Sequence, residues 1–284
     1  MINTLVRPAD SRDHQQISNL IFYETRLHRH LDWRAAVDWL GDPFYWALDE
    51  GGQVTAALAC PVETEGIAWI RLFVYAGRWS ANNAWSLLWA TAKEEMSQAG
   101  GATVAAIAMQ PWFQQVLAEN GFENRQSIVM LEWRYQPSAG SEADGFKIRT
   151  MTDADLPFVE MIDAAAFDPL WHNPLETLSR AFKQSLFATV AEKDGEVVGY
   201  QFTTGARGHA HLARLAVHPA MQRQNVGAGM LSDLFRKLTQ NGFGKLSVNT
   251  QDDNFSSLRL YEKMGFVRTG EQYPVLAYEV PAYA

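Results

Sequence analysis

The chain has 284 residues, of which 47% are hydrophobic, so it can form two domains of about 140 residues that each bury a core. Its formal net charge of −8 argues against nucleic acid as the main partner, because phosphate binding needs concentrated lysine and arginine. No run of about 18 apolar residues predicts a membrane span, the N-terminus lacks a signal core, and the single Cys60 cannot form an internal disulfide. We therefore expect a cytoplasmic protein.

The sequence repeats itself once. Four segments of the first half recur 142 to 144 positions later: Leu5-Val6-Arg7 as Lys147-Ile148-Arg149, Leu72-Phe73-Val74 as Leu215-Ala216-Val217, Gln98-Ala99-Gly100 as Gln240-Asn241-Gly242, and Glu119-Asn120-Gly121-Phe122 as Lys263-Met264-Gly265-Phe266. A nearly constant offset over so long a stretch indicates two copies of one fold. We predict domains at 1–136 and 146–284, joined by a linker at Gln136–Gly145 that is rich in serine, glycine, alanine and acids.

Both copies have the same predicted order: strand, helices, strands, helix, strand, helix, strand. In the second copy we expect, in chain order, a strand at Phe146–Met151, helices at Asp155–Phe167 and Leu175–Gln184, hairpin strands at Leu186–Glu192 and Val197–Thr204, a strand at Ala210–Val217, a helix at Gly227–Gln240, a strand at Lys245–Thr250, a helix at Ser256–Lys263 and a strand at Val275–Val280. Each copy is therefore predicted to be an α/β (α+β) domain whose mixed, mostly antiparallel sheet is flanked by helices.

A glycine-rich loop follows the strand that ends at Val217 and opens the next helix. Gln224 is followed by Gly227 and Gly229, which lack a Cβ and let backbone N–H groups close on a ligand. The first helical turn has free N–H groups and a partial positive charge, so it can bind a phosphate without a cationic side chain. Two glycines could equally well ease a tight turn, because the segment lacks the third glycine of a dinucleotide fingerprint and the lysine of a P-loop.

Two flanking motifs decide between these interpretations. Val217-His218-Pro219 precedes the loop, and the segment from Asn254 to Phe266 reads N-F-S-S-L-R-L-Y-E-K-M-G-F. Together with the loop they resemble the GNAT superfamily of acyl-CoA N-acetyltransferases across the second copy. The resemblance implies acetyl-CoA as cofactor, with its pantetheine arm paired as an added strand to Leu215, Ala216 and Val217. It also implies a pyrophosphate loop made of Gln222, Arg223, Gln224, Asn225, Val226, Gly227, Ala228, Gly229 and Met230.

The same resemblance assigns Asn254 to pantetheine binding and Tyr261 to catalysis, as the acid that protonates the departing CoA thiolate. The unperturbed pKa of tyrosine is about 10, above about 8.5 for a thiol, so Tyr261 is suited to this role. Without the resemblance, Tyr261 would be interpreted as an amphipathic core residue, because it shares a helix with Leu258 and Leu260.

A general base is expected as well, because an alkyl amine is almost fully protonated at neutral pH. Many members of the family carry a glutamate early on the strand before the glycine loop, and His211 has that position here. His209 and His211 alternate on one strand face and could both lie at the surface, and in some relatives a water chain does the work. Asp252 and Glu192 are weaker candidates, and the sequence leaves open whether Arg214 faces the cleft or solvent.

The acceptor is less well specified. The resemblance implies an amine, either a small molecule or a peptide N-terminus, bound near the segments at 167–171 and 271–274. The aromatic residues of these loops could equally well cap the core. No metal, nucleic acid or membrane is expected as a partner. The chain would act as a monomer or a homodimer. The alternative is a non-catalytic acetyl-CoA sensor or scaffold.

The first copy lacks the motif residues. Counting from the shared segments puts Ala81, Ala84, Ser86, Gln110 and Leu117 at the positions of Gln224, Gly227, Gly229, Asn254 and Tyr261. We therefore expect a degenerate GNAT-like domain without acetyl-CoA binding, an organisation that also resembles mycothiol synthase. Nine of the ten tryptophans lie in the first half, which predicts aromatic core packing or, alternatively, an aromatic wall over the acceptor.

Overall fold

The computed structural model describes residues 4–64, 66–134, 145–206 and 208–283. The predicted linker at 136–145 lies outside the described residues except for Gly145. The chain divides into two compact units. The first unit comprises Met1–Gln126 with Tyr273–Ala284, and the second comprises Ser127–Gln272.

The helices and strands follow the predicted order in the second half, whereas the first half has one α-helix and a short extra strand where two helices were predicted. The first half contains β1 (Thr4–Pro8), α1 (His14–Tyr23), β2 (Leu27–Arg29), β3 (Tyr45–Glu50), β4 (Gln53–Ala59), β5 (Val62–Thr64), β6 (Ile67–Trp69), β7 (Leu72–Tyr75), α2 (Ala81–Gln98), β8 (Ala102–Ile107), α3 (Pro111–Glu119) and β9 (Glu123–Arg134). The second half contains β10 (Lys147–Thr150), α4 (Leu156–Ala166), α5 (Leu175–Gln184), β11 (Phe187–Lys193), β12 (Glu196–Ala206), β13 (His209–Val217), α6 (Val226–Gln240), β14 (Lys245–Gln251), α7 (Phe255–Lys263) and β15 (Val267–Val280).

Each unit takes one strand from the opposite half of the chain. In the second unit the strand order is β10-β11-β12-β13-β14-β9, and β9 pairs antiparallel with β14 from Ile128↔Gln251 to Arg134↔Lys245. In the first unit the orders are β1-β3-β4-β7-β2 and β15-β8-β6-β5, with β15 antiparallel to β8. The units therefore differ from the predicted segments 1–136 and 146–284, because hydrogen bonding exchanges the strands that chain order would assign to each copy.

The mixed, mostly antiparallel sheet and its flanking helices confirm the predicted fold class. Both parallel pairs occur at repeat-related places, between β6 and β8 and between β13 and β14. The predicted strand at Val275–Val280 begins earlier, at Val267, although Gly270 and Pro274 interrupt its sequence pattern. Pro274 is tolerated because it takes part in strand pairing only as an acceptor. Its carbonyl accepts a 3.0 Å hydrogen bond from the backbone N–H of Ala108.

The repeat is also visible in buried ion pairs. In each unit an arginine on the first strand binds the acid that precedes the first long helix and a second acid on a neighbouring strand: Arg7 with Asp13 and Asp49, and Arg149 with Asp155 and Glu192. The hydrogen-bonded Arg149 guanidinium lowers the pKa of Asp155 to about 2. The same device thus fixes the first strand of both copies to the turn that follows it.

Most of the tryptophans pack in cores, as the first of the two interpretations predicted. Six of the nine in the first half are buried: Trp39, Trp46, Trp69, Trp85, Trp89 and Trp133. In the first unit, Trp85 and Trp89 stack on one face of α2 with their ring centroids 5.5 Å apart. In the second unit, Trp133 of the exchanged β9 stacks on Phe235 of α6 at 4.2 Å.

Candidate acyl-CoA site

Strands β13 and β14 form a fork. Their parallel pairing covers His209–Leu212 against Lys245–Val248, whereas β13 stays paired with β12 as far as Val217. An irregularity in the β12–β13 register leaves Ala213 without a partner residue, between Leu212 and Arg214. Past this bulge, Leu215–Val217 has one backbone edge with no strand partner among the described residues. Such an edge can pair with an extended ligand.

Helix α6 begins directly beyond this free edge. Residues 222–225 are exposed, and Arg223 and Asn225 both have a φ of 63°, which turns successive N–H groups of the loop inward. Asn225 precedes the helix without a side-chain capping bond, and Gly229 is the first residue to donate to the carbonyl of Asn225, at 2.9 Å. The N–H groups of Val226, Gly227 and Ala228 thus have no backbone partner in this described segment. Free N–H groups at a helix start can bind an anion, so these three groups are the candidate anion site.

Two of the predicted loop side chains are used within the protein. The amide of Gln222 donates to the carbonyl of Val217 at 3.2 Å, and the amide of Gln224 donates to the carbonyl of Ala220 at 3.3 Å. The carbonyl oxygen of Gln224 accepts from the Lys193 ammonium at 3.1 Å. Lys193 was missed from the sequence because it lies 31 positions earlier, in the β11–β12 hairpin. It brings a positive charge to the loop.

Gly227 has a packing role that the sequence did not reveal. A Cβ at this position would lie 3.0 Å from Cδ2 of Leu260 on α7. The glycine therefore allows α6 and α7 to approach closely, in addition to leaving space for a ligand. Behind the loop, Val226 and Met230 pack in a cluster with Ala191 and Val198, and Ala228 and Gly229 are also buried.

Asn254 and Tyr261 lie on the other side of the fork. Asn254 follows β14 and caps α7, because its Oδ1 accepts from the N–H of Ser257 at 3.1 Å. Tyr261 is 5% exposed and contacts the ring of Phe266, with the two centroids 5.3 Å apart. Burial raises the pKa of Tyr261 above its ordinary value, since the phenolate is poorly solvated there.

His211 lies in the paired part of the fork, at the same level as Ser247. A hydrogen bond of 2.9 Å joins its Nδ1 and the Ser247 hydroxyl. Burial lowers the pKa of His211, and a hydrogen bond with the Asn249 side chain opposes this shift. The ring is therefore neutral at pH 7. In the β12–β13 register, Phe202 pairs with Arg214 and Thr204 pairs with His211. Residues two apart on a strand share a face, so His211 and Arg214 project from the same face of the sheet.

The weaker base candidates are held in structural bonds. Asp252 accepts from the N–H of Ser127 at 3.0 Å, and Glu192 accepts from Arg149 at 2.8 Å. Arg214, whose direction the sequence left open, turns into the protein and binds the buried Asp163. The sequence does contain one indication of this ion pair: Asp163 is an acid that follows Ile162 on the apolar face of α4.

The first unit differs at the equivalent helix start. Ser80 caps α2 by accepting from the N–H of Asn83 at 3.1 Å, so a first-turn donor that is free in α6 is occupied here. Aligning the two helix starts puts Asn82 and Ala84 at the positions of Gly227 and Gly229. The predicted pair, Ala84 and Ser86, is thus shifted by two residues, because α2 begins seven residues after Val74 whereas α6 begins nine residues after Val217.

The equivalent fork of the first unit is filled. His28 lies in it, fully buried, with a 3.1 Å hydrogen bond between its Nε2 and the carbonyl of Ile70. Its ring stacks on Phe113 at 4.1 Å, and Phe73 and Trp85 pack against that phenylalanine. Burial lowers the pKa of His28 to about 4, so it is a neutral part of an aromatic cluster.

The sequence of residues 154–266 matches the Acetyltransferase (GNAT) family. The matched segment contains the fork, the anion site and both Asn254 and Tyr261. This is a GNAT acetyltransferase domain. The GNAT fold indicates acyl transfer from an acyl-CoA, and a free strand edge beside an uncapped helix start is compatible with such a ligand. None of the described helices of the chain is long and apolar enough to cross a membrane.

Solved structures extend the likeness of the fold beyond the GNAT acetyltransferase domain to both units. A GCN5-related N-acetyltransferase from Sphaerobacter thermophilus is 14% identical with a TM-score of 0.65, covering 99% of this chain and 97% of that one. A tandem GNAT protein of the clavulanic acid biosynthesis pathway is 13% identical with a TM-score of 0.65 over the full length of both chains. A GCN5-related N-acetyltransferase from Kribbella flavida is 12% identical with a TM-score of 0.69, covering 97% and 71%.

Proposed function

We propose that the second unit transfers an acetyl group from acetyl-CoA directly to an amine. The observation that carries this proposal is the free edge of Leu215–Val217 in line with the uncapped start of α6, within a GNAT acetyltransferase domain. A pantetheine amide would pair with the edge, and the pyrophosphate would meet the N–H groups of residues 226–228. Lys193 adds a charge for the phosphates.

The reaction needs a neutral amine and a protonated leaving group. The amine nitrogen forms a bond to the thioester carbonyl carbon, the carbon–sulfur bond then breaks, and CoA leaves as a thiolate. Tyr261 keeps its proton until the thiolate forms, because burial raises its pKa, and then donates that proton to sulfur. His211 is neutral and accepts, directly or through water, the proton that the ammonium loses.

The first unit is proposed to bind no acetyl-CoA. Its helix start is capped by Ser80, and its fork holds His28 and the aromatic cluster. Leu117 has the position of Tyr261 on α3 and is fully buried, so this unit has no equivalent acid. The first half of the chain nevertheless contributes β9 to the second unit, where it pairs with β14.

The first test is calorimetric titration with acetyl-CoA of the wild-type chain and of Gln224→Glu. We expect one site per chain, with binding weakened about tenfold in the variant because a carboxylate then lies beside the anion site. Gln240→Glu is the matched control, since it makes the same change at the exposed opposite end of α6 and should bind as wild type does. Two sites per chain would show that the first unit also binds, and no binding would refute the proposal.

The alternative is a sensor or scaffold that binds acetyl-CoA without transferring the acetyl group. It is favoured if the wild-type chain binds acetyl-CoA at one site yet releases no CoA thiol with a panel of spermidine, phenethylamine, glucosamine and an alanyl peptide. Release of thiol with any of these amines, abolished by heat denaturation, supports the enzyme.

A further inference from the structure

Arg214 lies directly before the free edge of the fork and is bound on every side. Its Nε and one terminal nitrogen donate to the two carboxylate oxygens of Asp163, each at 2.8 Å. The same terminal nitrogen donates to the backbone carbonyl of Trp171 at 2.6 Å. The guanidinium carbon lies 3.7 Å from the ring centroid of Phe167. One side chain thus connects β13 to both ends of the segment 167–171.

Asp163 receives a full set of donors. Besides the two bonds from Arg214, it accepts from the hydroxyl of Tyr200 on β12 and from the N–H of Asn173 at 2.7 Å. Its side chain is completely buried, whereas the Arg214 side chain is 14% exposed. Bidentate, charge-assisted bonds of this kind hold a fixed geometry. The carboxylate therefore joins α4, β12, β13 and the loop after α4 at one point.

The loop between α4 and α5 (residues 167–174) takes its shape from these bonds. Within it, the N–H groups of Trp171 and His172 both bond to the carbonyl of Asp168, at 2.8 and 3.0 Å. Arg214 contacts the loop at Phe167 and Trp171, and the Asp163 carboxylate accepts from the N–H of Asn173. Losing the guanidinium would release the Trp171 carbonyl and the Phe167 ring together.

The ion pair of Arg214 with Asp163, here called the clamp, is important because of where the α4–α5 loop lies relative to the free edge. On the opposite face of the sheet, Leu212 packs against α6 through Leu231 and Leu234, so no acceptor can approach a bound thioester from that side. An acceptor has to arrive over the face that carries Arg214 and the α4–α5 loop.

We propose that Arg214 is a positioning residue that holds the α4–α5 loop in place as one wall of the acceptor site. This inference rests on the proposed acetyl transfer and goes beyond it by assigning a residue to acceptor binding. Arg71 has the equivalent position in the first unit and binds Asp32 and Glu63, so both copies use this arginine as a clamp. Only in the second unit does the clamp adjoin an open fork.

The experiment compares wild type with Arg214→Gln, and with the double variant Arg214→Gln/Asp163→Asn. The double variant avoids leaving a buried, unpaired carboxylate, which by itself could prevent folding. Arg149→Gln is the control, because it breaks a comparable bidentate pair in the same unit, away from the loop. We measure hydrogen exchange at residues 167–174, the Kd for acetyl-CoA, and the KM for whichever panel amine wild type acetylates.

We expect both Arg214 variants to exchange faster at 167–174 and to raise the KM of the amine about tenfold, with the Kd of acetyl-CoA within about twofold of wild type. Arg149→Gln should leave the loop and the KM unchanged. The proposal is overturned if loop protection survives in both Arg214 variants, or if Arg149→Gln gives the same KM change. If wild type acetylates no amine, the proposed function fails, but the exchange measurement still decides whether Arg214 holds the loop.

Discussion

Burial shifts the pKa values of Tyr261 and His211 in opposite directions. Burial disfavours the charged form of any side chain, so it raises the pKa of a phenol and lowers that of an imidazole. At neutral pH both side chains are consequently uncharged. A protonated tyrosine and an unprotonated histidine are the forms that an acid and a base need before an amine attacks a thioester.

Replacing Tyr261 by phenylalanine tests the acid. The ring would keep its contact with Phe266, while the proton donor would be lost. We expect kcat to fall by about 10²–10⁴-fold with no change in the affinity for acetyl-CoA. Tyr278→Phe removes a hydroxyl in the first unit, which is proposed to bind no acetyl-CoA, and should have wild-type turnover. An unchanged kcat in Tyr261→Phe would exclude Tyr261 from the mechanism.

The pH profile tests His211. Its pKa is lowered in the folded protein, so the neutral ring persists below the ordinary value of about 6.5, and kcat/KM should fall only at more acidic pH. The unfolded chain binds this proton first, so the same shift makes stability fall as pH drops below about 6.5. In His211→Gln we expect lower kcat/KM and no acid limb. An acid limb that survives in this variant would assign it to another group.

At the scale of elements, the exchanged strand β15 makes Gly101 a critical position. Gly101 has a φ of 80°, and a Cβ there would lie 2.5 Å from the carbonyl oxygen of Val280. Gly242 has nearly the same φ, 77°, at the corresponding turn of the second unit, but open space around it. Comparing substitutions at Gly101 and Gly242 therefore separates the cost of backbone strain from the cost of the clash with β15.

Substituting alanine at each glycine should give unequal losses of stability. Gly242→Ala is expected to lower the free energy of unfolding by about 1–2 kcal/mol, the cost of a left-handed alanine. Gly101→Ala should cost at least about 2 kcal/mol more, because a backbone carbonyl cannot move aside as a side chain can. Urea unfolding followed by circular dichroism measures both. Equal losses would mean that the end of β15 is not held against Gly101.

The elements themselves were largely predictable, because their signals are local. Helix α5 has the predicted bounds, Leu175–Gln184, and most other elements of the second copy differ by one or two residues. The glycine loop and the motif from Asn254 to Phe266 were equally visible. By contrast, the Asp163–Arg214 pair spans 51 positions and the Lys193–Gln224 pair spans 31. Such features depend on tertiary distance, which periodicity does not encode.

At the scale of the whole molecule, the repeat in the sequence predicted two copies and could not predict the exchange between them. Both β9 and β15 end their copy with a short apolar run, at 128–131 and 275–277, and each would fit beside the preceding strand of its own half. In the structure, β9 pairs with β14 and β15 pairs with β8, so each strand forms its backbone hydrogen bonds with a strand from the other half of the chain. The two choices bury the same kinds of side chain, so the pattern alone does not distinguish them.

The exchange predicts how the chain responds to a cut between its halves. In the experiment, a protease site is inserted at 138–142 and the native protein is treated with that protease, to give pieces that end near residue 140. Seven residue pairs then hold β9 in the second unit and six hold β15 in the first. We expect the cut protein to elute from a sizing column near the 31.9 kDa of the intact chain, and to bind acetyl-CoA unchanged. In denaturing urea the pieces should separate, which controls for incomplete cleavage. Elution of two half-size species without urea would mean that each half keeps its own last strand, as the boundaries 1–136 and 146–284 require.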